Sequence, residues 1–308
     1  MEGTIDAVLP LTLKDYERSL ILRRSLSEYF RGLGTIFVVS PDDQTDTIRK
    51  RVKQQAADGL RLEVLPETEV VPELRYFKST KGWYRQQLVK LAIFKHVQSD
   101  FYLTLDADVV ATRPVTSEQL VPGGRALCIT HHEDVHPAWY RSAAYVLGES
   151  LRRSVIAHNV TPAVLARRGV EELAEWLGER WRRGQYASGR RGVFQRIARL
   201  RLGRKEDLAP WRLYLIAALP WTEYALYYSF LELRDRLAHY HVERDVGICD
   251  EQNSFWRADE LPFNEWRHEH LFQGDGPPFF VVIQSNTGVT AEQVREKLGD
   301  QLSFDATH

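Results

Sequence analysis

From Thr4 to Leu105, short β-branched runs alternate with longer amphipathic stretches, and that alternation selects a mostly parallel sheet covered by helices. Parallel strands cannot be joined by tight turns, so each crossover needs a helix-length segment between strands. Thr4–Leu9 reads as a strand, Asp15–Phe30 as a helix, and Thr35–Ser40 as a second strand closed by Pro41. Thr45–Ala57 reads as a helix, Arg61–Leu65 as a third strand, Gly82–Val97 as a helix and Phe101–Leu105 as a fourth strand. With 308 residues the chain can bury one large core, and a single domain is expected, with an amino-terminal half over 1–135 and a second half over 136–308.

The second half changes character after a strand-like run, Arg125–Thr130. From about Thr161 to Leu237 the pattern is mainly helical, with Pro162, Pro210 and Pro220 as starts or breaks. Phe279–Gln284 reads as a late strand, and Thr290 with Gln293 forms a capping box opening a final helix, Ala291–Leu298.

Charge and composition exclude more than they select. The net charge of -1 gives no global pull toward nucleic acid or membrane. Locally, Gly178–Asp207 carries ten Lys or Arg against three acids. A solvated helical face is the expected role, peripheral contact with anionic lipid comes second, and a clamp for a phosphate-bearing acceptor third. No recognition motif accompanies the charge, so no nucleic-acid partner is expected. The first residues lack a secretory layout and no run approaches the roughly 18 apolar residues of a membrane span, which makes the cytoplasm, with optional contact to the inner face of the membrane, the expected location. Cys128 and Cys249 lack disulfide or zinc spacing and are expected as small buried hydrophobes.

The chemistry concentrates in LTLDADVV, where Asp106 and Asp108 flank Ala107 at the end of an apolar strand. On an extended backbone, side chains two apart leave on the same side, so the two carboxylates can share a hard cation that also takes phosphate oxygens. Ligands of open α/β sheets bind at the carboxyl ends of the strands, which is where this triplet falls. The preceding helix is rich in donors: Gln86 and Lys90 share a face, Arg85 and Gln87 adjoin it, and Leu88 and Leu91 face inward. Alone, the acidic pair reads first as a solvated strand end or turn, and the lysine as a snorkelling surface residue.

The stretch KGWYRQQLVKLAIFKHVQSDFYLTLDADVVATRPV, with the later TEYALYYSFLE and FFVVIQSNTG, resembles a poorly characterised group of bacterial proteins related to DxD-containing glycosyltransferases of the GT-A type. That resemblance implies a Rossmann-like fold whose first half binds a nucleotide-sugar together with a Mn²⁺ or Mg²⁺ ion, and beside it the mainly helical stretch at about 161–237 is expected as an acceptor-side insertion. It implies further that Pro10 and Leu11, ending the first strand, receive the base and ribose of the donor. Tyr16, just beyond, is placed to stack on the base or to pack in the core. The transferred sugar would pass from a nucleoside diphosphate to a glycan or lipid-linked acceptor.

Transfer with inversion needs a carboxylate base, and Glu223, after Pro220-Trp221-Thr222, is the first choice. Thr222 is also a good N-cap, so an acid there is explained equally by the helix dipole. Trp221 and Tyr224 are candidate acceptor platforms, and His158 and Asn159 are candidates to line the pocket between the halves, where a structural histidine and a turn asparagine are the plainer reading. Gln284 and Asn286, after the late strand, are candidates to complete the metal shell, whereas His131, His132 and His136 read as a polar loop. A nucleotidyltransferase is the enzymatic rival, although LPLTLKDYER has no glycine-rich loop; a non-catalytic carbohydrate-binding protein is the other.

Overall fold

The computed structural model describes residues 4–55, 59–131, 137–149, 156–157, 161–187, 189–203, 205, 207–259 and 261–302. Strands β1 (Ile5–Pro10), β2 (Leu33–Ser40), β3 (Arg61–Pro66) and β4 (Phe101–Thr104) form the parallel part of the central sheet. Helices α1 (Tyr16–Tyr29), α2 (Asp42–Gln54) and α3 (Gly82–Ala92) lie between them in the chain. β1 pairs with β2 on one side and β4 on the other, so the strand order reverses at β1. Every residue of β1 is buried, as a central strand covered on both faces requires. The two-residue period then divides its side chains: Ala7 and Leu9 join Tyr16, Leu22 and Ile48 in one core, and Val8 joins Leu88, Leu91 and Tyr227 in the other.

The polar exception in β1 is Asp6, 5 % exposed. Its Oδ1 accepts from the Thr35 amide at 2.9 Å, and its Oδ2 from the Gln98 and Ser99 amides at 2.7 and 3.2 Å. One carboxylate therefore ties β1 to β2 and to the turn before β4, and Gly34 makes room for it: a Cβ there would lie 2.4 Å from Asp6 Oδ1.

The expected mixed α/β fold with a mostly parallel sheet and flanking helices is the observed one, with shifts at the edges. α2 starts at Asp42 rather than Thr45, because Asp42 and Asp43 suit a first turn directly after Pro41. α3 ends at Ala92 and tightens into a 3-10 turn at Ile93–Lys95. After β4 the chain forms β5 (Val109–Ala111) and β6 (Ala126–His131). Segment 161–166 is not helical: α4 (Pro137–Leu147) is followed by β7 (Ala163–Ala166), an antiparallel strand completing the sheet beside β4. Pro162 precedes that strand instead of opening a helix.

The helical layer comprises α5 (Arg167–Arg182), α6 (Gly189–Leu202), α7 (Pro210–Ala218) and α8 (Glu223–Leu233). α7 is fixed by a buried pair in which Arg212 Nε donates to Glu73 Oε2 at 2.6 Å, while Glu73 Oε1 accepts from the Ala209 amide at 2.6 Å. β8 (His241–Arg244) pairs with β6, and β9 (Phe280–Val282) runs antiparallel to β5. This last pairing returns residue 284 to the acidic turn. The chain closes with α9 (Ala291–Leu298), whose Thr290–Gln293 capping box forms as expected. Cys128 and Cys249 are buried free thiols, and burial pushes the Cys128 thiol up to about 12. Among the described residues no helix is long and apolar enough to cross a membrane.

Candidate functional site

At the carboxyl ends of β1 and β4, where the strand order reverses, a cleft of about 550 Å³ opens. One wall comes from α3 through Trp83, Gln86, Gln87 and Lys90, and the floor from Asp106 and Asp108. Thr222, Glu223 and Tyr224, at the start of α8, face them, and Trp139, Glu251, Trp256, Arg257 and Gln284 complete the rim.

Lys90 is the hub. It is 3 % exposed, and its Nζ reaches Asp106 Oδ1 at 2.9 Å, Thr161 Oγ1 at 2.9 Å and Glu223 Oε1 at 3.2 Å. Burial opposes its charge, but Asp106, Tyr224 and Glu223 more than offset that, holding the ammonium well above the ordinary lysine range. Helical spacing explains the placement. Leu88 and Leu91 bury the inner face of α3, which turns Gln87 and Lys90 toward α8 and the sheet end. Gln87 Oε1 accepts from the Glu223 amide at 3.1 Å, satisfying a donor at the start of α8 that Thr222 leaves uncapped.

The acidic triplet is a turn and not the extended strand that its spacing suggested: the Val109 amide donates to the Asp106 carbonyl at 3.2 Å. The two carboxylates still line one cleft, held from different sides. Asp106 is bound by Lys90, and Asp108 Oδ2 accepts from the Ser285 amide at 2.9 Å. Burial first, and the neighbouring Asp106 second, push the Asp108 carboxyl up to about 6. Glu223, also buried, is raised by desolvation, with Lys90 pulling the other way.

Two polar atoms in the wall have no partner among the described residues: Gln87 Nε2 and Thr222 Oγ1. Orphaned buried donors are costly unless a ligand or water meets them, and here both residues open on the cleft. Among the described residues no cluster of three or more His, Cys, Asp or Glu could hold an ion unaided. Two carboxylates and a side-chain amide, with the rest of the shell left to phosphate oxygens and water, is nevertheless a donor set that fits Mg²⁺ or Mn²⁺ held together with a diphosphate.

The profile of a family of unknown function, DUF6492, matches residues 2–305. The chain belongs to this family. No curated protein matches it. Two similar solved structures are apo mouse xyloside xylosyltransferase 1, with TM-score 0.44 and 9 % identity over 94 % of this chain and 100 % of that one, and the apo-form glycosyltransferase GlyE of Streptococcus pneumoniae TIGR4, with TM-score 0.41 and 12 % identity over 98 % and 61 %.

Of the residues singled out in this family member's sequence, Gln86, Gln87, Lys90, Asp106, Asp108, Glu223, Tyr224 and Gln284 meet in the cleft. Others lie elsewhere. Arg85 pairs with Glu67 at 2.8 Å on the far side of α3. Trp221 is fully buried and donates its Nε1 to the Leu215 carbonyl at 2.8 Å, so it is core rather than platform. Pro10 and Leu11 are buried, Leu11 donating to the Val39 carbonyl at 2.8 Å, and their side chains do not line the cleft. Tyr16 is buried, its hydroxyl donating to Gln55 Oε1 at 2.6 Å. Asn286 faces a separate depression beside α9, and Ala107 packs partly against the core. His158, Asn159, His132 and His136 lie outside the described residues. Thr161, Trp83, Trp139 and Arg257 were not expected at the site; the eight tryptophans of the sequence were a signal available, but their number points to no position.

Proposed function

We propose that this protein is a metal-dependent glycosyltransferase of the GT-A type that moves a sugar from a nucleoside diphosphate to a glycan or lipid-linked acceptor. The observation that carries the reading is the convergence of Asp106 and Asp108 with Lys90, Gln86 and Gln87 at the reversal point of the sheet, facing Glu223 across one cleft. Burial first and the neighbouring Asp106 second raise Asp108 to about 6, and a divalent cation at the pair would favour its charged form. Such an ion, held by Asp106 and Asp108 with Gln284 alongside, would offset the charge that develops on the departing diphosphate. Lys90 keeps Asp106 oriented. The orphaned Gln87 Nε2 and Thr222 Oγ1 suit sugar or ribose hydroxyls, and Trp83, Trp139 and Trp256 offer aromatic faces to sugar C–H surfaces. The donor base would rest over the buried ends of β1 and β2 near Leu11.

In an inverting transfer the acceptor oxygen bonds to the anomeric carbon as the bond to the diphosphate breaks, and Glu223 takes the hydroxyl proton. Its raised pKa brings it closer to a base that works near neutral pH. In a retaining transfer Glu223 would instead bind sugar hydroxyls.

The test is calorimetric binding of a nucleoside-diphosphate panel with and without Mn²⁺, on the wild type and on Asp106→Asn and Asp108→Asn. Metal-dependent binding of one diphosphate, lost in both variants, is the expected result. Consumption of a triphosphate would identify a nucleotidyltransferase instead, and sugar binding without any nucleotide would leave a carbohydrate-binding protein.

A further inference from the structure

The outward side of α6 carries an exposed apolar ridge between arginines. Across Gly189–Leu202 the residues that seat the helix are Gly192, Gln195 and Ala198. Gln195 Nε2 donates to the Tyr214 carbonyl at 3.0 Å, its Oε1 accepts from the Ala187 amide at 2.8 Å, and a Cβ on Gly192 would meet the Ala187 carbonyl oxygen at 2.0 Å. Small residues and one amide thus form the inner face. At a period of 3.6 residues, Val193, Ile197 and Leu200 fall on the opposite side with Phe194 beside them, and these four are 55, 41, 85 and 63 % exposed. A solvated surface helix carries its apolar residues inward, so this one is inverted. The earlier expectation of a plain solvated face for this part of the basic stretch does not describe it.

The flanks of that ridge are cationic. α6 contains five arginines and no acid. At its start, Arg190 and Arg191 join Arg141, Ser142 and Tyr145 of α4 around a depression of about 460 Å³ that no carboxylate among the described residues lines. Arg191 lies 4.8 Å over the Tyr145 ring, which holds its guanidinium plane at the rim. Three guanidinium groups converging on an open depression match a phosphate, and an apolar ridge beside them matches acyl chains just below it.

We infer that α6 docks this protein on an anionic phospholipid surface, with Val193, Phe194, Ile197 and Leu200 entering the interface and Arg141, Arg190 and Arg191 binding headgroup phosphates. A second copy of the chain fits less well, because a two-fold contact through this face would set the arginines of one copy against those of the other. α4 carries Trp139 on the rim of the cleft and the basic depression further along, so the docked face adjoins the cleft mouth. The inference stands apart from the glycosyltransferase reading, since it uses neither a donor nor turnover.

The test is flotation of the full chain with vesicles of phosphatidylcholine alone or mixed with phosphatidylglycerol. Binding to the mixed vesicles that weakens with salt is expected. It should drop at least about 10-fold in Leu200→Glu and Phe194→Glu, and by a similar factor in the Arg190→Gln/Arg191→Gln pair. All these side chains are exposed or line an open depression, and unchanged melting temperatures would show that the variants fold. Failure to bind the mixed vesicles overturns the inference, as does binding that ignores the ridge substitutions. A concentration-dependent dimer abolished by Leu200→Glu, without vesicle binding, overturns it in favour of self-association. Arginine-dependent binding of a DNA duplex that ignores Leu200→Glu, again without vesicle binding, overturns it in favour of nucleic acid.

Discussion

Replacing Lys90 by methionine removes the cation that lies between Asp106 and Glu223 but nearly preserves the length of the side chain. In the wild type the ammonium sits 2.9 Å from Asp106 Oδ1 and 3.2 Å from Glu223 Oε1, and it is 3 % exposed. Its loss leaves Glu223 as a buried carboxylate without the ammonium beside it, and Thr161 Oγ1 with the Tyr224 hydroxyl as its remaining partner. Removing one member of a buried ion pair costs about 3–5 kcal/mol, most of it the penalty of the abandoned charge. With an unfolding entropy of about 2.1 cal/mol/K per residue, a chain of 308 residues loses roughly 5–8 °C in Tm for that cost. The sign with pH follows from Glu223. Its carboxyl is already raised by burial, and without Lys90 it rises further. A carboxyl with a raised native pKa favours the folded state at low pH and disfavours it as the pH climbs through that pKa. The deficit of Lys90→Met should therefore be largest at pH 8 and shrink toward pH 5, and Lys90→Met/Glu223→Gln should recover part of it. Thermal melts of the four species (wild type, both single variants and the double variant) at the two pH values read all of this. A Lys90→Met deficit that is absent, or identical at pH 5 and pH 8, would refute the account of Lys90 as counterion to a buried carboxylate.

Thr222→Val should leave stability unchanged or raise it slightly, since Thr222 Oγ1 is buried without a partner among the described residues, whereas affinity for the cleft's ligand should fall by roughly 10-fold. Melting and titration calorimetry on one preparation separate the two effects, and a loss of stability without a loss of binding would place the hydroxyl in the fold rather than the site. Away from the cleft, burial and then Glu243 push the Glu232 carboxyl up to about 7 from an ordinary 4.5. Between those values the native state keeps a proton that the unfolded chain has released, so wild-type stability falls as pH rises through 7. Glu232→Gln should be indistinguishable from wild type near pH 4.5 and more stable by about 1–2 kcal/mol at pH 8, a figure halved for the partial exposure of the group. Urea melts at the two pH values check it.

Several parts of this protein were legible in its sequence because they depend on neighbours a few residues away. The strand–helix alternation from β1 to β4 rests on local periodicity, as does the inward placement of Leu88 and Leu91 on α3. The Thr290–Gln293 capping box closes over three residues and was read to the correct boundaries. The acidic pair was located by its position after an apolar strand. Its geometry was not: the turn at Asp106 is set by where β5 must go to meet β9, a pairing that spans the rest of the chain.

What required the tertiary structure depends on distant contacts. The four residues Ala163–Ala166 are too few and too uniformly apolar to show a period, so only the open edge of β4 makes them a strand. Trp221 and Glu223 are two residues apart at the entry to α8, yet one is sealed into the core and the other meets Lys90, 133 positions earlier in the chain. The basic stretch shows the same division. Sequence alone supplied the charge of α6, but which of its faces looks outward was decided by the seat that Gly192, Gln195 and Ala198 find beside α7. Periodicity fixes which side chains share a face; only packing determines whether that face meets the core, a ligand or the solvent.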